Sequence, residues 1–287
     1  MEGGLSRSAH DGDRADRRAH WRARATTWHE RAAGPDRERD ARLNAALMEA
    51  AGVRPGARVL DLGAGGGQPA IALVQAVGAA GLVIALDHAP EMLAGAAARA
   101  AALDLAVLRC VVADMVELPF PDRSFDAVTA RFSLMSVPDK PAALAEARRV
   151  LRPGGRIALL VWGPEDANDR FRALRRGALA CFGPEVAGRP SGRHALGIRG
   201  AMSALLRGAG FTAVDERAVD DTSEVPADPR VWASSVRRNH ADRLAAMDAA
   251  GRARLDDAMR AAFEPFRIDD VYRLRASATL ASGAAPA

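Results

Sequence analysis

One stretch constrains this chain more than any other: Val59-Leu60-Asp61-Leu62-Gly63-Ala64-Gly65-Gly66-Gly67, followed by Val83-Ile84-Ala85-Leu86-Asp87. A mostly apolar run enters a glycine loop, a helix-length segment follows, and the next apolar run ends in a carboxylate. Open α/β sheets build nucleoside sites in this way, at the carboxyl ends of their strands. The frame of the loop separates the possible ligands. A dinucleotide loop needs G-x-G-x-x-G, with glycines for the turn, the pyrophosphate approach and the helix–strand contact. Here Gly63 and Gly65 fit, but the third position is Gln68 and the last glycine comes early, at Gly67. The frame is G-x-G-x-G.

Asp61, two residues before the first glycine, repels a pyrophosphate but accepts hydrogen bonds, directly or through water, from a cationic amine. S-adenosylmethionine carries an ammonium and a sulfonium and has no phosphate, so it suits this loop better than a nicotinamide or flavin dinucleotide. Two further strand ends agree. Asp87 is placed for the ribose hydroxyls. Asp114, after the apolar run Leu105 to Val112, is placed to accept from the adenine amino group.

These residues resemble the class I S-adenosylmethionine-dependent methyltransferases, in the group that includes the ubiquinone and menaquinone biosynthesis enzymes (methyltransferase type 11). The resemblance lies in Val59 to Gly67, Ala85 to Leu93 (ALDHAPEML), Ala113 to Phe120 (ADMVELPF), Ser124 to Val128, Arg131 to Met135, and Arg149 to Arg156 (RVLRPGGR). It is strong over roughly residues 55–165 and loose in the flanks. It implies a Rossmann-like, doubly wound, seven-stranded, mainly parallel α/β sheet whose last strand inserts antiparallel, with N-terminal helices and a helical cap. The expected organisation is a disordered tail over 1–18, N-terminal lid helices over 19–54, a cofactor-binding core over 55–165, and a substrate cap with the last strands of the same domain over 166–280.

Composition narrows the class. A chain of 287 residues, 49% hydrophobic, can bury roughly three-quarters of its unfolded surface. No apolar run approaches the ~20 residues of a membrane helix, and the start lacks the apolar core of a secretory signal, which favours a cytoplasmic protein. Cys110, inside an apparent core strand, and Cys181 are the only cysteines, so neither a disulfide framework nor a metal site is indicated. The sequence pI near 9.9 accompanies a net charge of only +4, because arginine, not lysine, carries the positive charge. The arginines are interleaved with acids, which favours a solvated surface over a nucleic-acid footprint. The loop after strand four, Arg131-Phe132-Ser133-Leu134, lacks the Asn/Asp-Pro-Pro-aromatic signature of amino-methylating DNA enzymes.

Trp21, Ala25, Trp28 and Ala32 form one helical stripe over 19–33, which Gly34-Pro35 ends; a second helix runs to about Ala51 with Leu43, Ala46, Leu47 and Ala50 on one face. Pro90 falls in the first turn of a helix and Asp139 reads as an N-cap. Arg152-Pro153-Gly154-Gly155 reads as a sharp turn into strand five over 156–162. Later expectations are a helix over 168–182, an irregular segment to Gly197, a helix over 196–208, a strand at 211–214, helices over 228–264, a closing strand at 271–278 and a disordered tail over 281–287.

The residues assigned to the cofactor are Asp61, Gly63, Gly65, Gly67, Gln68, Asp87, His88, Met92, Asp114, Met115 and Arg131. Trp28, Phe132, Ser133 and Met135 are assigned to the acceptor pocket, with Phe171, Phe182 and Phe211 adding apolar surface. Transfer from a sulfonium requires in-line placement, so positioning supplies much of the catalysis and a base is needed only where the acceptor must lose a proton. The base candidates are His194, otherwise a solvated loop histidine among Arg189, Arg193 and Arg199, and His29. The function read from these residues is methyl transfer to a small aromatic, polyketide-like or quinone-like metabolite. The alternatives are an RNA or protein methyltransferase, or a cofactor-binding protein without catalysis.

Overall fold

Apolar runs bounded by glycine become strands here, and alanine-rich amphipathic segments become the helices between them. The computed structural model describes residues 15–33, 37–184 and 192–287. A helical stretch over 15–22 precedes α1 (Ala25–Ala33) and α2 (Arg37–Ala50); then come β1 (Arg58–Leu62), α3 (Ala70–Val77), β2 (Leu82–Asp87), α4 (Pro90–Ala102) and β3 (Leu108–Val112). β4 (Phe125–Arg131), α5 (Lys140–Val150), β5 (Leu151–Trp162), α6 (Asp169–Phe182) and α7 (Ala201–Gly208) follow. The chain ends with β6 (Thr212–Pro226), α8 (Arg230–Asn239), α9 (Ala241–Ala245), α10 (Ala249–Phe263), β7 (Arg267–Ile268) and β8 (Val271–Ala284).

The strands form one sheet in the order β3-β2-β1-β4-β5-β8-β6, with the short β7 paired on β8. β1 pairs parallel with both β2 and β4, and β2–β3 and β4–β5 are also parallel. Parallel neighbours need helical crossovers, which cover both faces, so β1 and β2 are buried almost throughout. Gly154 and Gly155 exchange backbone bonds with Ala285, and Gly163 donates to Ser277 O. As one partner number rises the other falls, so β8 enters antiparallel to β5. The seven-stranded doubly wound order is thus present, with β7 an added two-residue hairpin arm.

The described residues fall into two compact units: those of 1–161, 200–217 and 280–287, and those of 162–199 and 218–279. The second unit has its own core, in which Trp232, Phe263 and Tyr272 pack with Met259, Leu255 and Leu274. Gly177 lets α6 lie close to α10, because a Cβ there would stand 2.6 Å from Met259 Sδ. Buried Asp169 accepts from the Arg275 backbone and guanidinium, and the Asn168 side chain bonds both N–H and C=O of Ser277.

Several local expectations need correction. Cys110 is exposed, not in the core, because β3 is the sheet's edge strand. Arg152 to Gly155 do not form a turn; they bulge within β5, where the register against β4 jumps from Leu151 to Arg156. The helix expected over 19–33 breaks at Ala23-Arg24, and the one expected over 196–208 is a 3-10 turn, Gly192–Gly197, then α7 beyond Gly200 in a left-handed conformation. β6 is fifteen residues long; its solvated acidic positions hide the strand period. Residues 281–284 are not a loose tail but the buried end of β8, with Gly283 against the Phe211 ring. Of the tail expected over 1–18, residues 15–18 are helical and the rest lies outside the described residues. Gly34-Pro35, Arg189 and the side chain of Ala32 lie outside the described residues. Pro90 does open α4, and Asp139 caps α5 by accepting from Ala142 N at 2.9 Å.

Candidate functional site: the carboxyl ends of β1, β2 and β4

The glycine loop leaves β1 with Gly63, Gly65 and Gly67 at φ of +70°, +52° and +95°, which side chains rarely adopt. The space is closed as well: a Cβ on Gly63 would stand 2.4 Å from Ser133 Cβ, and one on Gly65 3.2 Å from Met92 Cε. Gly63 N and Ala64 N both donate to Leu86 O, tying the loop to β2. Asp87, buried at the end of β2, accepts from Gly65 N and Ala89 N, each at 3.1 Å. Its carboxylate therefore clamps the loop and opens α4 at once. His88 Nδ1 lies 3.4 Å from it. Met115 is buried, with its Cε 3.5 Å from the Gly63 Cβ position, so Met92 and Met115 line the loop.

Asp61 is fully buried. Its Oδ1 accepts from the Thr129 hydroxyl at 2.8 Å, while Oδ2 is buried without a partner. Burial pushes its pKa up to about 7, against the pull of Thr129 and Arg131. Arg131, at the end of β4, pairs with Asp40 of α2 and leaves its Nε buried and unpartnered. Phe132, in a left-handed conformation, lies beneath the Arg131 guanidinium, and the Ser133 hydroxyl donates to Leu62 O at 2.7 Å. Gln68 accepts from Asn44 of α2 at 2.9 Å. Met135 is half-buried in the 3-10 turn Leu134–Ser136.

The amino-terminal helices lie on the same side. Arg17 stands 3.6 Å from Asp114, Arg18 donates to His88 O, and Arg22 pairs with Glu91. Ala25 packs with Ala89 and Met92, flanked by Trp21 and Trp28. Asp114 also accepts from Val116 N. His29 Nε2 sits 3.0 Å from Met92 O and 3.3 Å from Gly95 N, and the absence of a Cβ on Gly95 makes room for the ring.

The glycine loop, Asp61, Gln68, Asp87, His88, Met92, Met115, Arg131, Phe132 and Ser133 thus come together around three strand ends, and Asp114 and Trp28 join them through the helices. Sequence reasoning missed Asp40 and Asn44. Their signal was weak: two polar residues four apart on a helix, flanking the buried Leu43 and Leu47. His194 belongs to the second unit. It is not a solvated loop histidine but 5% exposed, with Nδ1 donating to Gly163 O at 2.8 Å and Phe171 packed edge-on at 4.9 Å. Burial lowers its pKa and so favours the neutral ring. Phe211 is buried against Gly283.

Fold and sequence point to one class: residues 60–159 match the methyltransferase domain family. Among individual proteins, the chain is 35% identical over 181 residues to the nocamycin O-methyltransferase of Saccharothrix syringae, covering 59% of this chain and 64% of that one. It is 43% identical over 114 residues to the demethylmenaquinone methyltransferase of Staphylococcus aureus strain MRSA252, covering 40% and 46%. The chain thus spans about half to two-thirds the length of these curated relatives. The fold is shared with phosphoethanolamine N-methyltransferase 2 of Haemonchus contortus in complex with S-adenosyl-L-methionine, at a TM-score of 0.53, 20% identity, and coverage of 86% of this chain and 53% of that one. Among the described residues no helix is long and apolar enough to cross a membrane.

Proposed function

We propose that this protein transfers a methyl group from S-adenosylmethionine to a small quinone-like or polyketide-like acceptor. One observation carries the reading: the buried Asp61, the loop-clamping Asp87 and the more exposed Asp114 stand at successive strand ends around a G-x-G-x-G loop. When bound, the cofactor supplies a methyl already activated by its sulfonium, so the protein need not activate the donor. Asp61 receives the ammonium, Asp87 the ribose hydroxyls and Asp114 the adenine amino group, with His88, Met92 and Met115 along the adenosine. The close packing of Ser133 on Gly63 fixes the start of the loop that would hold the donor. Positioning of this kind is worth about 7–11 kcal/mol when both partners are held in line.

The acceptor class is supported by the relatives named for O-methylation of nocamycin and methylation of demethylmenaquinone. His194 is the candidate general base by its own chemistry: Nδ1 donates to Gly163 O, and the neutral ring then offers Nε2 as an acceptor. His29, held by Met92 O and Gly95 N, fastens α1 to α4 instead. The test is methyl-labelled S-adenosylmethionine with purified protein and an extract of its source cells. Label in the solvent-extractable fraction supports the metabolite reading. Label in the acid-precipitable fraction overturns it in favour of RNA or protein, and label in neither, with the cofactor bound, points to a silent binder.

A further inference from the structure

Of the polar atoms buried without a partner at this site, Asp61 Oδ2, Asn44 Oδ1 and Arg131 Nε lie on β1, α2 and β4, while His88 Nε2 and Glu91 Oε2 lie at the start of α4. For the first three, a missing partner is destabilising unless something satisfies it, and more so where the atom is charged. Two are acceptors and one is a donor, which is the inverse of an α-amino acid: an ammonium that donates and a carboxylate that accepts. α2 places its contributions on one face, since Asp40 and Asn44 are four residues apart. Asn44 donates to Gln68 at the far end of the glycine loop, and Asp40 pairs with Arg131 at the end of β4. The helix therefore spans both ends of the site. Asn44 is 4% exposed and Arg131 11%, so neither head group is left to solvent.

Building on the cofactor reading above, we infer that α2 completes the site for the cofactor's amino-acid end: Asn44 accepts from the ammonium beside Asp61, and Arg131, braced by Asp40, donates to the carboxylate. Asp40 is a positioning residue. It holds the guanidinium by its Nη2, while Nε is left buried without a partner.

Calorimetry with three ligands tests this on the intact protein. S-adenosylhomocysteine carries the full amino acid, 5′-(3-aminopropylthio)-5′-deoxyadenosine keeps only the amine, and 5′-methylthioadenosine has neither. Asn44→Ala should weaken the first two by about tenfold and leave the third within about twofold. Arg131→Lys, which keeps a cation beside Asp40 but removes Nε, should weaken only S-adenosylhomocysteine, again by about tenfold. Equal losses on all three ligands would make these residues mere props for the loop and overturn the inference. Undiminished binding of S-adenosylhomocysteine by both variants would overturn it too. A wild-type protein that binds none of the three sinks the cofactor reading itself, and this inference with it.

Discussion

Asp61→Asn should stabilise the ligand-free protein at alkaline pH while removing its hold on the cofactor. The carboxyl is fully buried, and burial lifts its pKa from 3.8 to about 7. A folded acid with a raised pKa binds more protons than the unfolded chain, so its contribution to stability falls as pH rises between the unfolded and folded values. With one pKa unit worth about 1.36 kcal/mol, raising the pH from 5 to 8 costs the wild type about 2–3 kcal/mol through this group. Asparagine is isosteric, still accepts from Thr129 and never ionises. The measurement is urea unfolding of wild type and variant at pH 5, 6, 7 and 8. The gap should widen in the variant's favour with pH and level off above about pH 7. A gap that stays constant, or widens toward acid, would refute the argument that an uncompensated buried carboxylate sits at the loop. The same group makes cofactor affinity pH-dependent. The ammonium favours ionised Asp61, so binding should tighten by up to about tenfold per unit from pH 5 to 7, with proton release in calorimetry, and flatten above.

Other residues give sharper local tests. Gly63→Ala places a methyl 2.4 Å from Ser133 Cβ at φ +70°, so it should cost about 1–3 kcal/mol of stability and abolish cofactor binding; normal binding would move the loop elsewhere. Asp87→Ala removes the acceptor for Gly65 N and the ribose, and should weaken the cofactor by about 1–3 kcal/mol in calorimetry. His194→Phe should lower kcat by roughly 10²–10⁴ for a hydroxyl acceptor, and the wild-type acid limb should fall below the ordinary imidazole range because burial depresses its pKa. Unchanged kcat with a lowered Tm would assign His194 to packing against Phe171. Asp139→Ala removes the cap on α5 and should cost about 1 kcal/mol in thermal unfolding.

The core of the fold was legible because its signals are local. The apolar runs of β1 and β2, the glycine frame and the three strand-end carboxylates lie in short stretches whose chemistry has few other uses. Pro90 and Asp139 marked helix starts for the same reason: a missing N–H and a capping oxygen act on their own first turn. Cys110 and residues 281–284 were misread because strand burial depends on place in the sheet, which no single strand encodes. β3 happens to be its edge, whereas β8 lies between two strands, where small residues serve close approach.

The sequence by itself determined the sheet class, the glycine frame of the loop and the order of Asp61, Asp87 and Asp114, because each depends on residue type at fixed local spacing. Only the tertiary structure decided what each polar atom meets. Asp61 and Thr129 are 68 residues apart, Arg131 and Asp40 are 91, and Asn44 reaches Gln68 from another helix. Burial of those groups, and hence the raised pKa of Asp61 and the unpartnered atoms beside it, arises from surfaces brought together across the chain, and a linear pattern carries no measure of that distance.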